Sequence, residues 1–501
     1  MERFFRLMLN LGIIALIAGA VAVTSCSDDS GTDPKPNPND TTNNQDTSTN
    51  TMDERMRPIV FVHGEMEAAD MYSFMSQLLM KNGYAEQNLF VFDFESYLTN
   101  DGVDVTAMAT QLQAKVNEAL AATSEQRVDI VAHGAGAKAV QHFLARMSGT
   151  AKVAHVVYAG AVYDMTLTVN GDPTPPPCEY MTLRSNGQDA LQLGNTQHGV
   201  LTGAKNEQLN GLDNFQLVSS SEAVAKVYNF FTGTTMAEAN LTPPRPGLTY
   251  TIKGRVIDFI DNTPLVNASV IPVKVRRLAS GEIQRQVGQS PLTTDSKGFF
   301  QYDDLLAPDT FLEFLVRSAT GSHYDMHIYR QPWRANSISE RLRVLPRSGG
   351  SSRLGQFGAA LRTGTHGIAI VFSQNQALYQ NRDQLVCKRY TPGYELINTT
   401  SLLTPGNAPA PGSSATGMNT FLLCLLDYDQ NKQDGTGPIS TPALNTYGIN
   451  SYDFYLDVSA TNHQTHFELN GAFLGSFNYR SSGASGSNNS GINLVQFEYK
   501  P

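Results

Sequence analysis

The sequence predicts a multidomain chain: an α/β domain with a mainly parallel sheet and flanking helices, followed by two β-sandwich domains. Three observations predict it. Between Arg57 and residue 231, short apolar runs alternate with segments whose apolar residues recur at helical spacing. The stretch Leu241-Thr242-Pro243-Pro244-Arg245-Pro246 ends that alternation, and helical periodicity does not return. From about residue 350, strand-like runs are separated by Gly/Ser/Pro loops such as 404–417 and 481–491. At roughly 100 to 200 residues per domain, 501 residues suit two to four domains.

Taken in order, the chain opens with Arg3 and Arg6, an apolar run from Leu7 to Val23, and the small residues Thr24 and Ser25 before Cys26. This reads as a secretory signal over 1–25, since a small-residue cleavage site follows the apolar core at once. Residues 26–54 are rich in Ser, Asp, Asn, Thr and Pro without apolar periodicity, the composition of a flexible tether.

The α/β domain is expected over 55–240. Ile59 to Val62, Leu89 to Phe92, Val128 to Val131, Val153 to Tyr158 and Met181 to Leu183 read as strands. Val105, Met108, Leu112, Val116 and Leu120 form one helical face, and Val140, Phe143, Leu144 and Met147 form another. Residues 221–231 read as a closing helix. Strands alternating with helices imply a parallel sheet covered on both faces.

The first β domain is expected over 247–347. Ile252 to Asp258, Pro264 to Val270 and Thr294 to Phe300 read as strands, with a turn that allows positive φ at Gly298. The second is expected over 350–501, where Leu469 to Tyr479 and Gly491 to Tyr499 alternate like paired strands.

Composition narrows the function classes. A net charge of −10, with no stripe of Lys and Arg, argues against general nucleic-acid binding. The cluster Lys274, Arg276 and Arg277 reads as a solvated strand face. Cys178, Cys387 and Cys424 remain after Cys26, an odd number that excludes a disulfide framework. Cys387 and Cys424 either pair or are separately buried thiols. His323 and His327 lie four apart in a β context without the H-E-x-x-H pattern, and His463 and His466 read as surface strand residues. No metal site and no cofactor is expected, and no glycine-rich loop is placed to cradle phosphate.

Several motifs carry resemblances. Val23-Thr24-Ser25-Cys26 resembles a lipobox, which implies acylation of Cys26 and a membrane anchor; a plain signal peptide containing cysteine is the other reading. Ser27-Asp28-Asp29 resembles the surface-export signal of Bacteroidetes lipoproteins, which implies the outer face of the outer membrane. Residues 250–345 resemble a transthyretin-like or carboxypeptidase-regulatory-like sandwich.

Val128-Asp129-Ile130-Val131-Ala132-His133-Gly134-Ala135-Gly136 resembles the V-D-I-V-A-H-S-x-G elbow of bacterial class 2 lipases, α/β-hydrolases in which a strained strand-to-helix turn exposes a serine. Here that position is Gly134, which has no side chain to attack a carbonyl. Pro58 to Gly64 resembles the strand leading into the oxyanion loop, so the resemblance places the oxyanion donors at Gly64, Glu65 and Ala135. Glu65 would set a carboxylate against an oxyanion. The acid falls on Asp189. The base falls on Asn214, which cannot take a proton near pH 7. The domain order resembles extracellular lipases or polyester depolymerases with appended β domains.

Three readings follow. The first is a surface lipoprotein whose emptied lipase fold binds lipid, acyl ester, polyester or a surface molecule. The second is an esterase with a relocated site, for which His198, His142, Ser185 and Ser219 to Ser221 are the candidates, while His133 packs under the elbow. The third is an adhesive protein acting through its β domains, where Trp333, Tyr390 and Tyr394 either form a glycan platform or pack in the core. Pro173 to Pro177 lies where a cap loop would form.

Overall fold

The computed structural model describes residues 56–497, except 66, 100–101, 186–199, 243–246, 260, 288–289, 306–309, 348–367, 375, 380–381, 392–394, 404–420, 427–434, 437–448, 455–462 and 480–491. Cys26, the signal segment, the tether, Asp189, His198 and Tyr394 lie outside the described residues.

Six strands form the first sheet: β1 (Ile59–Val62), β2 (Leu89–Val91), β3 (Val128–His133), β4 (Val153–Ala159), β5 (Glu179–Ser185) and β6 (Lys205–Leu209). Their order is β2-β1-β3-β4-β5-β6, and every pairing is parallel. All residues of β1 and β3 are buried, as continuous apolar runs in a sheet covered on both sides require. Alternation divides the side chains: Val60, Val62, Ile130 and Ala132 face the core under α2 (Val105–Thr123) and α3 (Gly136–Arg146). Ile59, Phe61 and Val131 face the opposite core, under α1 (Ser73–Lys81) and α4 (Ser221–Thr232).

Helix starts are locally encoded. The Asp104 side chain accepts the Ala107 N–H at the head of α2, and Ser220 accepts the Ala223 N–H at the head of α4. Gly233, with φ of 70°, ends α4. Among the described residues, no helix is long and apolar enough to cross a membrane.

The remaining described residues are built of strands. β7 (Thr249–Asp258) lies between Phe299–Leu305 and β8 (Ser337–Val344) in a three-stranded sheet. The expected strand at Pro264 to Val270 is largely a turn, closed by an isolated Ile257–Pro264 bridge; the strand proper is Ser269–Arg277. Pro264 has no N–H for a ladder and Asn267 takes a φ of 55°, so regular pairing begins beyond both. Gly298 has the positive φ its turn suggested, 76°, and a Cβ there would lie 2.9 Å from Val256 O.

A ten-stranded sheet joins the two expected β domains. Met326–Arg330 pairs with Ile492–Phe497, which pairs with Ile368–Ser373, so hydrogen-bonded strands bridge the expected 347/350 division. A four-stranded sheet contains Leu385–Tyr390, Leu396–Ser401, His463–Leu469 and Ala472–Tyr479.

Two expectations about side chains need restating. His466 is fully buried rather than on the surface, its ring 4.5 Å from Tyr390 and 5.5 Å from Phe473. Both faces of its strand are covered, which a period-two sequence pattern cannot reveal. Trp333 packs in the core beside Phe314. Cys387 is buried, and the Cys424 side chain lies outside the described residues.

Candidate functional site

Ligands of open parallel sheets meet them at the carboxyl ends of the strands. At the end of β3 the chain turns sharply at Gly134, with φ of 51°, and enters α3 at Ala135 and Gly136. The turn is pinned to its neighbour: the Gly134 N–H donates to Ala159 O at 3.2 Å, and Gly134 O accepts from Val162 at 3.1 Å. Gly136 lets α3 approach β1, since a Cβ there would lie 2.4 Å from His63 O. A Cβ on Gly134, by contrast, would have no neighbour nearer than 3.8 Å. The turn therefore has space for a side chain, and Gly134 supplies none.

His133 sits beneath the elbow, fully buried. Its Nε2 is 3.0 Å from Asn214 O; a carbonyl only accepts, so Nε2 carries a proton. Its Nδ1 is 2.8 Å from Glu67 Oε1. With Nε2 on the Asn214 carbonyl and Nδ1 beside the Glu67 carboxyl, this ring is directed to buried groups other than Gly134.

Asn214 occupies the loop after β6, where the base was expected. Its side chain lies against Gly160, at which a Cβ would coincide with the Asn214 amide oxygen. The amide is buried, and among the described residues neither its oxygen nor its nitrogen has a hydrogen-bond partner. Gly160 itself takes a φ of 51°.

In the loop after β1, where the resemblance put the oxyanion donors, the backbone already has a partner within the chain. The Gly64 N–H donates to Glu67 Oε2. Glu65 is half-buried; burial pushes its carboxyl up, Lys138 opposes that shift and Glu67 adds to it. His63 turns inward: its Nε2 accepts the Phe94 N–H at 2.9 Å, and its Nδ1 is 2.7 Å from Gly64 O. Burial lowers the His63 ring below its ordinary value. Sequence reasoning weighed Glu65 and passed over Glu67; the signal was available, since Gly64 and Glu67 stand three apart, the spacing of a side chain reaching back to a backbone N–H.

The candidate nucleophiles are otherwise engaged. The Ser185 hydroxyl donates to Leu212 O, that of Ser219 to Phe215 O, and that of Ser221 to Asn240 Oδ1, while Ser220 caps α4. None of these hydrogen bonds joins a serine to a histidine. His142 lies on α3. Elsewhere, His323 pairs with Asp258 and His327 with Glu313.

The loops of this face are bound to the β region. Asp93, fully buried after β2, accepts both Arg341 Nε (2.8 Å) and Arg255 Nη1 (2.9 Å). Arg341 and Arg255 hold its carboxyl far below the usual range against the opposing effect of burial. Asp70 accepts from Arg343 at 2.6 Å, from Gln496 at 2.7 Å and from Gln374 at 3.2 Å. Asp213, beside Asn214, accepts the Ala377 N–H at 3.0 Å, and Phe215 packs with Ala377 and Tyr379.

Residues 56–152 match the family model of lipase (class 2). Among solved structures, Bacillus licheniformis lipase BlEst2 in its mature form is similar at 17% identity, covering 35% of this chain and 92% of that one, with a TM-score of 0.28. Its propeptide form is 13% identical and covers 85% of this chain and 92% of that one, with a TM-score of 0.30. Aspergillus fumigatus lipase B is 13% identical over 36% of this chain and 54% of that one, with a TM-score of 0.29.

Proposed function

We propose that this chain, a lipase-like α/β-hydrolase extended by β-sheet regions, is a lipid-anchored surface protein whose hydrolase portion binds rather than cleaves. One observation carries the reading. The turn at Gly134 has its positive φ and open space, while the loop after β6, where the resemblance puts the base, holds Asn214, whose amide has no proton-accepting nitrogen and no hydrogen bond among the described residues. A triad works as a unit, and without nucleophile and base only about 10³–10⁴-fold over water remains in the serine-protease case.

The anchor is Cys26, acylated after signal cleavage, with residues 27–54 lifting the folded part from the outer membrane. Ligands of matching chemistry are lipids, acyl esters or polyesters, the class that the resemblance of Val128 to Gly136 to the lipase elbow implies, and a side-chain atom at Gly134 would meet nothing nearer than 3.8 Å. The test is hydrolysis of a graded series of p-nitrophenyl esters by the mature chain, with fluorophosphonate labelling in parallel. Silence in both, with saturable ester binding, supports the reading; labelling of any serine in the native chain sinks it. Loss of acyl-chain incorporation in Cys26→Ser tests the anchor.

A second reading, in which the protein acts through its β strands, draws on the bonds from Asp70, Asp93 and Asp213 to that region. Filling the elbow by Gly134→Leu separates the two. Ester binding that survives the substitution lies in the β region, and binding that disappears lies at the elbow.

A further inference from the structure

The oxyanion loop contains a negative charge of its own. Glu67 is only 8% exposed, and each part of it is held. Oε2 accepts the Gly64 N–H, and Oε1 lies 2.8 Å from His133 Nδ1. Its main-chain oxygen accepts from Asn262 Nδ2 at 2.8 Å. Asn262 belongs to the turn after β7 and is itself buried in a left-handed conformation, with φ of 61°. A Cβ on Gly64 would fall 2.7 Å from Glu67 Oε2, so with any other residue there the carboxylate would have to draw back from the backbone.

An oxyanion donor is a backbone N–H aimed at an oxygen that gains negative charge. Here that oxygen is already supplied. We infer that Glu67 is a built-in anionic occupant of the oxyanion position, standing where a ligand's carboxylate would sit, and that the β region holds it there through Asn262. The inference rests on the binding reading above and sharpens it: the occupied site rejects carboxylates, and the ligands left to it are neutral. Two carboxylates at one donor repel each other, so an external anion enters only when Glu67 is removed. Without Glu67, the Gly64 N–H would lose its acceptor and His133 its neighbouring carboxylate in a buried position.

The test uses the whole chain with Glu67→Ala and Glu67→Gln, acetate as probe, and chloride at equal ionic strength as control. Hydrogen–deuterium exchange is read on peptides spanning 63–68, together with Tm. In Glu67→Ala, exchange rises by about tenfold or more, and acetate slows it and raises Tm. Glu67→Gln retains an acceptor for Gly64 and stays protected. The native chain is indifferent to acetate. If acetate acts on Glu67→Ala no better than chloride, or if exchange there is unaltered, Glu67 does not occupy an anion site.

Should Glu67→Ala not fold, the acetate comparison is made on Glu67→Ser, whose short side chain also vacates the Gly64 N–H; equal exchange and Tm in acetate and chloride then overturn the proposal. Asn262→Ala tests the second half: faster exchange over 63–68 with little change in Tm supports the hold, and no change refutes it. Ester hydrolysis by the native chain would end the binding reading yet leave these exchange results intact, so the two fail separately.

Discussion

Two places beyond the carboxyl ends of the first sheet's strands differ in what they hold. At the elbow the turn is formed but carries no side chain to react: Gly134 stands at φ of 51°, and the Asn214 side-chain amide has no hydrogen bond among the described residues. At the docking cluster the charged side chains are present and matched. Asp93 binds Arg255 and Arg341, and Asp70 binds Arg343, all buried. The difference teaches which features packing preserves. A turn wedged between β1, β4 and α3 persists because its neighbours need it, whereas a nucleophile supports nothing but chemistry. Buried charges persist because removing one abandons the other in a low-dielectric interior.

The sharpest way to break the comparison is at Asp93. Asp93→Ala strands Arg341, which is fully buried, and among the described residues leaves Arg255 with only the partly exposed Glu95 as an acid partner. The expected loss is about 3–5 kcal/mol, the range for breaking a buried pair from one side. Urea unfolding of the mature chain measures it. A loss no greater than that of an exposed substitution would mean the β region is not tied to this face through its arginines.

Next in size is Gly136→Ala. The new methyl would meet His63 O at 2.4 Å and Val62 O at 2.9 Å, both backbone atoms that cannot swing aside. Overpacking of this kind costs about 1–3 kcal/mol. Gly134→Ser is expected to be milder: it has space, with nothing within 3.8 Å, and pays only for left-handed φ, about 1–2 kcal/mol. Thermal denaturation of the two variants side by side ranks them. The reverse order would mean that the elbow, not the helix approach, is the tighter constraint.

How much of this was legible follows from the range of the interactions. The strands and helices between Ile59 and Thr232 are written in local periodicity, and the small residues of Ala132 to Gly136 fix the elbow within nine residues of sequence. The vacancy at Gly134 is therefore readable without coordinates. The Asn214 loop was readable by its place before α4. The docking cluster was not: Arg341 finds Asp93 248 residues away, and nothing local to Ser337–Val344 indicates that partner. Glu67 fell between these cases. Its bond to Gly64 is local, but its significance comes from His133 and Asn262, which only the fold brings near.

The smallest effect tests the comparison by sign. Asp93 is held below its ordinary range by Arg341 and Arg255, so its contribution is fully present above the unfolded value of about 3.9 and is lost only as pH falls through the lower folded value. Glu65, beside the elbow, is shifted upward by burial, so its folded form keeps a proton that the unfolded chain has released. Its contribution is present below about 4.3 and declines as pH rises through the raised folded value. The two regions thus pull in opposite directions. Glu65→Gln removes the elbow's share: it should stabilise the chain at pH 7 by under about 1 kcal/mol, because a half-buried group is screened by solvent, and leave it unchanged near pH 3. Unfolding measured at both pH values decides it. Destabilisation at pH 7 would mean that the Glu65 charge is used there, and that Lys138 outweighs burial in setting it.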